Sequence, residues 1–599
     1  MKKAVDTKRG SGIAAWFRDN PVRWYDWVVI GVLFLFCFLS YESRDLFHTA
    51  GCSYGYLDGH FHDFYDYLAE FGMGENNDPG LHAAYLPTVY LLFAVWNLPM
   101  KLFGVVPQAT AMLSLPAILW AKLLPTLVYL GCGFVVYLIS DTLGFGKRKA
   151  KLAAFASVTM PVAVFSQFIM GQYESFALLT VLLGTYFWLK KKPFWFVFWF
   201  AVGCSFKYTV LLFFLPLLLL GEKNLWKILL SLLGAVSLTA LEILLYSFSP
   251  VFRESVFGIG GGADSPVNNV FEAWLNTGFT LSDATFKVYL VILTVGGTAA
   301  YSYFLSPKDE EEKNRYAMFL LPLSFAAMFC FTKWHPQWLL LAVPFWTIGS
   351  FMTKHTKIRL VLELLFSALF MVFTVNYFAF VLDETMLNNG IFKYLMPGRI
   401  VSEAFGMTEI LKFPDPSIAL SVLTALMAIF AFAHHPKLMQ KDLTDTPKHT
   451  LSYVRVRTIA GLLVFIVPSL LSLYFTVRPP KMHYAETNRT AETEIGPSGP
   501  VLEFTASGDT ISKIKFRKGT ARGTEPLPVT VKIFSGNETL YTAEYDASAH
   551  YPSEQVIIKP NVRVTPGDTY RLSFSRPENA EGEVRLFTDG NDLAVMIFE

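Results

Sequence analysis

One short segment in the first quarter of the chain, Tyr56–Gly72, is unusually rich in ionisable side chains. Its carboxylates and imidazoles are Asp58, His60, His62, Asp63, Asp66 and Glu70. A carboxylate of such a group could deprotonate an acceptor hydroxyl while its neighbours tune its pKa and its position. We therefore predict a general base here. The candidates for that base are Asp58, Asp63, Asp66 and His60.

Two other interpretations of the same segment stay open. Asp58, His60 and His62 have the chemistry of metal ligands, although their spacing matches no fixed metal motif. A divalent metal is therefore a possible cofactor, and the sequence indicates no other. The segment could also be a solvated loop in which aspartates cap turns.

A single lysine, Lys207, interrupts the apolar stretch GCSFKYTVLLFFLPLLLL. An ionisable residue between two apolar runs is a functional candidate when the runs cross a membrane. Its ammonium could bind a lipid-linked phosphate and stabilise the charge of a leaving group. Snorkelling of the long side chain towards lipid head groups is the alternative.

Two further polar segments interrupt the apolar pattern. Gly171–Glu174 offers Gln172 and Glu174, which could bind a sugar hydroxyl, hold the first segment in place, or form only a turn. Lys333–Trp338 carries two tryptophans that suit a membrane interface. Its candidates are Lys333 and His335 for a phosphate and Gln337 for a substrate. Weaker candidates elsewhere are Lys122, Glu242 and Arg253.

The composition of the chain indicates the solvent in which these residues lie. Of the 599 residues, 53% are hydrophobic and only 16% are charged, and the mean hydropathy is +0.40. These values are typical of an integral membrane protein. The net charge of +2 gives no sign of a nucleic-acid partner.

Apolar runs long enough to cross a bilayer predict about thirteen transmembrane helices, beginning with Trp24–Ser40, ending with Ile459–Thr476 and including Leu152–Met170 as one continuous span. The segment Pro87–Phe103 is also apolar, but a further crossing there would put the basic cluster at Lys147 outside. We therefore predict a re-entrant or interfacial placement for it. Residues 1–23 are then a cytoplasmic segment, residues 24–478 the membrane domain, and residues 41–85 the first outer loop.

The positive-inside rule assigns the loops to the two sides of the membrane. Clusters of lysine and arginine between the apolar runs all fall on the inside if the N-terminus is inside. The first outer loop, the turn at Gly171, Lys207 and the segment Lys333–Gln337 then lie together on the outside. The candidate functional residues therefore share one face of the membrane.

After Arg478 the pattern changes to short alternating runs separated by Gly, Pro, Asn and Asp. Examples are Val529–Phe534, Thr539–Tyr545, Gln555–Ile558 and Thr569–Phe574. Such runs predict an antiparallel β-sandwich. The fold prediction is therefore a mainly α polytopic membrane domain followed by an extracytoplasmic β-sandwich over residues 479–599.

From Tyr56 to Pro344 the chain resembles the GT-C integral-membrane glycosyltransferases, and most of all the catalytic subunit of the first GPI-anchor mannosyltransferase and its bacterial relatives. The family's first acidic position falls on Asp58 and its further Asp on Asp66, whereas His60 occupies the second acidic position. That departure leaves open whether Asp58 acts alone or with Asp63 or Asp66. Further matches are Tyr85-Leu86-Pro87, Gly146-Lys147-Arg148, Lys207 with Pro216, and His335-Pro336-Gln337-Trp338.

The resemblance implies a GT-C fold and transfer of a hexose-type sugar, such as mannose, from a polyprenyl-phosphate donor. It implies an envelope glycan, glycolipid or protein as acceptor, a bacterial plasma membrane, and a role for Tyr85 in substrate binding. No nucleotide is needed for such a transfer. The sequence likewise has no phosphate-binding loop of the GxxxxGKS type.

Two other classes of protein stay open. A transporter or lipid flippase also has many helices and intramembrane charges, but it favours midplane sites and paired repeats. A non-catalytic assembly protein could use the β-sandwich to bind a glycan. The collection of candidates at one interface favours the enzyme over both.

Overall fold

The structure is a computed structural model, and it forms two compact units. The units comprise Met1–Tyr377, Thr385–Leu395 and Lys412–Val467, and Phe378–Glu384, Met396–Leu411 and Pro468–Glu599. The residues that the structure describes are 21–42, 44–71, 83–105, 115–257, 278–281, 284–287, 290–331, 335–377, 390–395, 416–477, 482–484, 491–523, 526–549, 555–589, 592–593 and 595–598. The domain boundary at residue 478 stays a prediction.

Helices account for most of the chain up to residue 477. They are α1 Trp24–Ser40, α2 Arg44–Cys52, α3 Tyr54–Leu57, α4 Phe64–Phe71, α5 Pro87–Leu102, α6 Leu115–Thr142, α7 Gly146–Val158, α8 Pro161–Val164, α9 Glu174–Leu189, α10 Pro193–Phe206, α11 Leu211–Gly221, α12 Leu225–Tyr246, α13 Pro250–Phe257, α14 Leu290–Phe304, α15 Glu310–Phe329, α16 Val343–Met352, α17 Thr356–Tyr377, α18 Ile391–Leu395, α19 Pro416–Ala433 and α20 Thr450–Val477. A hairpin of β1 Gly278–Leu281 and β2 Ala284–Lys287 precedes α14.

Among the described residues, four helices are long and apolar enough to cross a membrane: α6, α12, α17 and α20. Helix α12 shows why lipid must surround them. Its 22 residues reach about 33 Å, enough for a hydrocarbon core of about 30 Å. Its leucines 230 and 244 are 66% and 71% exposed, a cost in water that lipid removes. The chain is a multi-pass membrane protein, and the count of thirteen spans stays a prediction.

The predicted span Leu152–Met170 is broken in the structure. Helices α7 and α8 meet at an angle of 51°, because Pro161 lacks an N–H and forces Met160 into an extended conformation. A π-helical segment, Phe165–Ile169, follows α8. The chain then turns at Gly171, whose positive φ of 49° favours glycine.

Contacts between distant loops define one end of the helices, which we call the basic end. Its ties are Asp26 with Arg455, Lys149 with the carbonyls of Leu443 and Asp445, Lys191 with Glu310, Lys223 with the carbonyls of Ser302 and Tyr303, and Arg315 with the carbonyls of Gln440 and Lys441. The clusters that the sequence assigned to the inside therefore lie together.

Helix α5 is the apolar segment for which the sequence predicts a re-entrant or interfacial placement. It packs along the first loop. Near its start, Thr88 contacts Glu242 in the last turn of α12. Near its end, Lys101 contacts Asp58. Between them, Asn97 donates hydrogen bonds to the Ala50 carbonyl and the Ser53 hydroxyl. The second half of the helix therefore packs against first-loop residues, and the re-entrant or interfacial placement of this segment stays a prediction.

The second unit contains two antiparallel sheets with a shared apolar core. The larger sheet is made of β3 Met482–Tyr484, β4 Ala491–Glu494, β7 Lys513–Arg522, β10 Gln555–Ile558, β13 Glu583–Asp589, β14 Asp592–Leu593 and β15 Val595–Phe598; the smaller sheet has the order β5 Val501–Thr505, β12 Thr569–Ser575, β8 Pro528–Ser535 and β9 Glu538–Asp546. A third pair joins β6 Thr510–Ile511 to β11 Val562–Arg563. Phe516 of the larger sheet packs edge-on against Phe574 of the smaller at 4.8 Å. The C-terminal region is β-rich, as predicted.

Candidate functional site

Asp58 lies directly after the short helix α3 and is fixed by two features of its surroundings. Gly59, with φ of 97°, lets the chain reverse after it. Lys101 of α5 brings its ammonium to 2.6 Å from the Asp58 Oδ1 and also donates to the carbonyl of Leu57. Asp58 is 38% and Lys101 34% exposed. The candidate base is therefore an accessible carboxylate held by a cation.

His60 and Asp63 form their own contact beside Asp58. The His60 Nδ1 lies 2.9 Å from the Asp63 Oδ2, and the imidazole stacks on the Tyr67 ring at 3.6 Å. The hydrogen bond from His60 holds the pKa of Asp63 below its usual range. Burial and the charges of Asp58 and Asp63 raise the pKa of Tyr67. Asp63 is therefore a weaker base than an unpaired aspartate.

The metal hypothesis gains no support from the arrangement of these ligands. Among the residues that the structure describes, no three His, Cys, Asp or Glu side chains converge as metal ligands would. His60 is directed at Asp63, and His62 is exposed.

Asp66 has a structural partner in a different part of the chain. Its Oδ1 accepts a 2.8 Å hydrogen bond from the Ser249 hydroxyl. That hydroxyl in turn accepts the backbone N–H of Phe252 at 3.1 Å. Asp66 therefore ties the first loop to the start of α13.

A second group of candidates, which we call the Lys207 cluster, comes together from three separate segments: Gln172, Glu174, Lys207, His335, Gln337 and Trp338. Glu174 begins α9, and Lys207 directly follows α10. The Lys207 Nζ lies 2.9 Å from the Glu174 Oε1 and 4.5 Å from the centre of the Trp338 ring. Glu174 is only 3% exposed, and Lys207 is 17% exposed.

The other side of the Lys207 cluster is a buried pair of amides. The Gln337 Nε2 donates to the Gln172 Oε1 at 3.2 Å. The Glu174 Oε2 and the Gln337 Oε1 are buried and have no hydrogen-bond partner among the described residues. A buried acceptor without a donor costs about 1–3 kcal/mol. These oxygens therefore suit a ligand that carries hydroxyl groups.

His335 borders the open side of the Lys207 cluster. Its ring lies 5.2 Å from that of Trp338, and its side chain is exposed. The protein on its other sides still shields it from water, and this burial, with the charge of Lys207, lowers its pKa. His335 is therefore mainly neutral at neutral pH. Lys333 lies outside the described residues.

One apolar cluster joins the two groups of candidates. It contains Leu57, Tyr173 and Phe206, the residues that directly precede Asp58, Glu174 and Lys207. Tyr85 belongs to the same cluster, with its ring edge-on to Tyr173 at 5.0 Å. The residues next to the candidate base and the candidate cation, and the aromatic candidate itself, therefore pack against the same apolar cluster.

The weaker candidates hold backbone or neighbouring side chains. The buried Lys122 donates to the carbonyls of Phe38 and Tyr41. Glu242 accepts from the Thr88 backbone N–H and hydroxyl. Arg253 donates to the carbonyl of Ser247. Lys122 therefore joins α6 to the end of α1, Glu242 joins α12 to α5, and Arg253 joins α13 to the turn just before it.

Sequence reasoning missed Lys101 and the cation–π role of Trp338. Lys101 is the one charged residue in the apolar segment Pro87–Phe103. A lone charge in such a segment is a signal of function, and it would have marked Lys101 as a candidate. The partner of Asp58 could not be named, because it lies 43 residues away.

Comparison with known proteins adds one structural likeness. No protein-family model and no curated protein sequence match the chain. A structure of the arabinosyltransferase EmbB from Mycobacterium smegmatis aligns over 99% of this chain and 65% of its own, at 12% identity and a TM-score of 0.36. The chain thus spans less than two thirds of that protein. So low a TM-score establishes neither a shared fold nor a shared activity.

Proposed function

We propose that the protein is a membrane glycosyltransferase of the GT-C type. It moves a hexose-type sugar from a polyprenyl-phosphate donor to an envelope glycan, a glycolipid or a protein on the outer face of a bacterial plasma membrane. Its donor enters from the lipid, and its acceptor from the water outside.

The observation that carries this proposal is the arrangement around the common apolar core. The residues directly before Asp58, an accessible carboxylate, and Lys207, a cation beside an aromatic ring, pack against the same cluster although they lie far apart in sequence. Sugar transfer from a lipid phosphate needs both groups, because a proton leaves the acceptor and negative charge grows on the phosphate.

In the proposed reaction, Asp58 takes the proton of an acceptor hydroxyl. The hydroxyl oxygen forms a bond to the anomeric carbon, and the bond from that carbon to the phosphate oxygen breaks. The electron pair leaves with the lipid phosphate, whose charge Lys207 stabilises, with His335 donating a hydrogen bond. Lys101 holds Asp58 in place until the acceptor arrives.

The remaining candidates would bind the sugar. Glu174 and Gln337 each offer a buried acceptor oxygen to a hydroxyl group. Gln172 holds Gln337 through its amide, and the Tyr85 ring provides an apolar face against which a pyranose can pack.

A donor panel tests the proposal directly. Purified protein in lipid nanodiscs is incubated with polyprenyl-phosphate mannose, glucose or galactose and an envelope extract as the source of acceptor, and donor consumption is followed by mass spectrometry. We expect one of these donors to be consumed faster than in protein-free nanodiscs. Nucleotide sugars are the matched control. Consumption of a nucleotide sugar, or of no lipid-linked donor, would contradict the proposal.

The sidedness of the site needs a separate experiment. The native cysteines are buried or half-buried, so a cysteine placed at an exposed position reports its own side. In intact cells, Ala84→Cys near the first loop should react with a membrane-impermeant maleimide. Lys448→Cys at the basic end should react only after lysis. The reverse pattern would place the site on the cytoplasmic side.

A further inference from the structure

A cavity of about 580 Å³ opens at the basic end, far from the Lys207 cluster. It lies where α9 and α11 end and where α10, α12 and α15 begin. Helix α10 separates the two places: Pro193 lines the cavity at one end of the helix, and Lys207 follows the other. Fourteen residues of helix correspond to about 21 Å. The cavity is therefore not part of the proposed sugar site.

Four lysines line the cavity against two glutamates. Lys191 pairs with Glu310 at 3.1 Å, and Lys227 lies 3.8 Å from Glu222. Hydrogen bonds from the backbone N–H groups of Asn224 and Lys223 hold the pKa of Glu222 low, and the charge of Lys227 adds to this effect. The charge of each glutamate is thus neutralised by one lysine, and the other two lysines give the cavity an excess of positive charge.

The excess comes from Lys192 and Lys313, which have no ion-pair partner in the part of the chain that the structure describes. Lys313 is positioned over the Trp188 ring, with its Nζ 5.5 Å from the ring centre. The Trp188 indole donates to the Leu217 carbonyl at 2.9 Å, so the ring itself is fixed. The two ammonium groups are available to an anion.

The turn that carries Lys192 is held in a costly conformation. Lys191 has a φ of 55°, a left-handed conformation that costs a non-glycine residue about 1 kcal/mol. The turn is closed by bonds from the Lys191 and Lys192 N–H groups to the carbonyls of Trp188 and Phe187. This is the Schellman pattern that commonly ends a helix, and it fixes the backbone position of Lys192 at the mouth of the cavity.

The remaining walls of the cavity are mainly apolar, with Ser231 and Asn314 as further polar residues, and its surroundings are those of a membrane interface. Phe196, Leu218 and Leu230 line it. Just outside, Trp195 and Trp226 are 44% and 75% exposed, as tryptophans at the head-group level are. An occupant must therefore be negative at one end and apolar at the other.

We propose that this cavity binds the phosphodiester head group of an anionic phospholipid, with an acyl chain along its apolar wall. Basic pockets between transmembrane helices bind such head groups, and the volume is in the range of small-ligand sites. The proposal is independent of sugar transfer, since it uses none of the residues of that site.

Native mass spectrometry of the whole protein, with phosphatidylglycerol added to detergent micelles, tests the proposal. The test variant is Lys192→Gln with Lys313→Gln. Lipid affinity should fall about thirtyfold, which corresponds to about 2 kcal/mol for two lysines near a lipid phosphate. The matched control is Lys354→Gln with Lys448→Gln, which removes two exposed lysines of the basic end. Wild-type affinity in that control is the expected result.

Two further arms separate the possible sources of the phosphate. Phosphatidylcholine should bind at least tenfold more weakly than phosphatidylglycerol, and millimolar inorganic phosphate should not displace the bound lipid. Thermal unfolding of each variant, compared with wild type in lipid-free detergent, checks the fold. Equal lipid loss in test and control variants, or displacement by inorganic phosphate, would overturn the proposal.

Discussion

Two ion pairs in the first unit show how the same chemistry can serve different purposes. Glu363 and Arg457 are 0% and 1% exposed, and both oxygens of Glu363 are bonded, one by Arg457 and the other by the Ser350 hydroxyl at 2.7 Å. Glu174 and Lys207 form the second pair. There one carboxylate oxygen has no partner among the described residues, and Lys207 is partly exposed beside Trp338.

The difference between the pairs lies in whether a carboxylate oxygen remains to be bonded, since the buried Arg457 Nε also has no partner among the described residues. Arg457 also donates to the carbonyl of Ala156 and to the hydroxyl of Thr159, so its pair joins the four helices α7, α16, α17 and α20 and leaves no oxygen of Glu363 for a ligand. The Glu174–Lys207 pair has both an acceptor and part of a cation available. We infer that the first pair stabilises the helix packing and that the second belongs to a binding site.

The largest expected effect is a loss of stability when the pair of Glu363 with Arg457 is broken. Arg457→Met leaves the Glu363 carboxylate buried without its cation, which costs about 3–5 kcal/mol. The midpoint of thermal unfolding in detergent should fall by more than any single substitution in the Glu174–Lys207 pair causes. The double variant Glu363→Leu with Arg457→Met should recover most of the loss, because no charge stays buried. Failure of the double variant to recover would show that the pair does more than join helices.

The contrast between the two pairs also shows what a sequence can and cannot predict. Polar residues are rare in apolar runs, so Gln172, Glu174, Lys207 and Gln337 could be found as candidates, and the positive-inside rule could group them. Their pairing could not be predicted, because each residue taken alone suggests a different ligand, a sugar hydroxyl for Glu174 and a phosphate for Lys207. The partners in these two pairs lie 33 and 94 residues apart in the sequence. Their contact depends on how the helices pack, which a local sequence pattern does not predict.

The fold was predictable to a similar degree. Hydropathy found the apolar helices, and alternation found most strands of the C-terminal unit. The break between α7 and α8 was missed because Pro161 lies inside a continuous apolar run, where composition alone favours one span. The course of α5 along the first loop depends on contacts that its residues Asn97 and Lys101 make with distant parts of the chain. The sequence does not show these contacts.

The next effect concerns the exposed pair of Asp58 with Lys101. Exposed ion pairs contribute about 0–1 kcal/mol to stability, so Asp58→Asn should leave the unfolding midpoint near that of wild type. Its turnover of the lipid-linked donor should fall by about 10²- to 10³-fold, the usual contribution of a general base.

Asp63→Asn is the matched control for that experiment, because Asp63 lies in the same loop but pairs with His60 and not with Lys101. It should retain turnover within a few-fold of wild type. Wild-type turnover in Asp58→Asn would remove Asp58 from the mechanism, and equal losses in both variants would point to a general effect on the loop.

A smaller effect is expected on donor binding when the pair of Glu174 with Lys207 is changed. A hydrogen bond to a charged group contributes about 1.5–3 kcal/mol, so Lys207→Met should raise the donor KM about thirtyfold. Glu174→Gln with Lys207→Met separates binding from stability, since the double variant buries no unpaired carboxylate. It should unfold near the wild-type midpoint and still bind donor weakly. Normal donor binding in the double variant would make this pair structural, like Glu363 with Arg457.

The smallest effect is a change in donor affinity with pH. Burial and the charge of Lys207 lower the pKa of His335 from the ordinary value of 6.5, so the imidazole is neutral from pH 7 to 8 and donor KM should not change there on its account. Below the lowered pKa the ring becomes a second cation beside Lys207, and donor KM should fall about two- to threefold, an effect typical of one partly exposed charge. His335→Gln keeps a hydrogen-bond donor but cannot titrate, so its KM should stay constant as the pH falls. If the donor KM of His335→Gln still fell with pH as it does in wild type, His335 would not face the phosphate. The Glu174–Lys207 pair would then bind the donor through Lys207 alone.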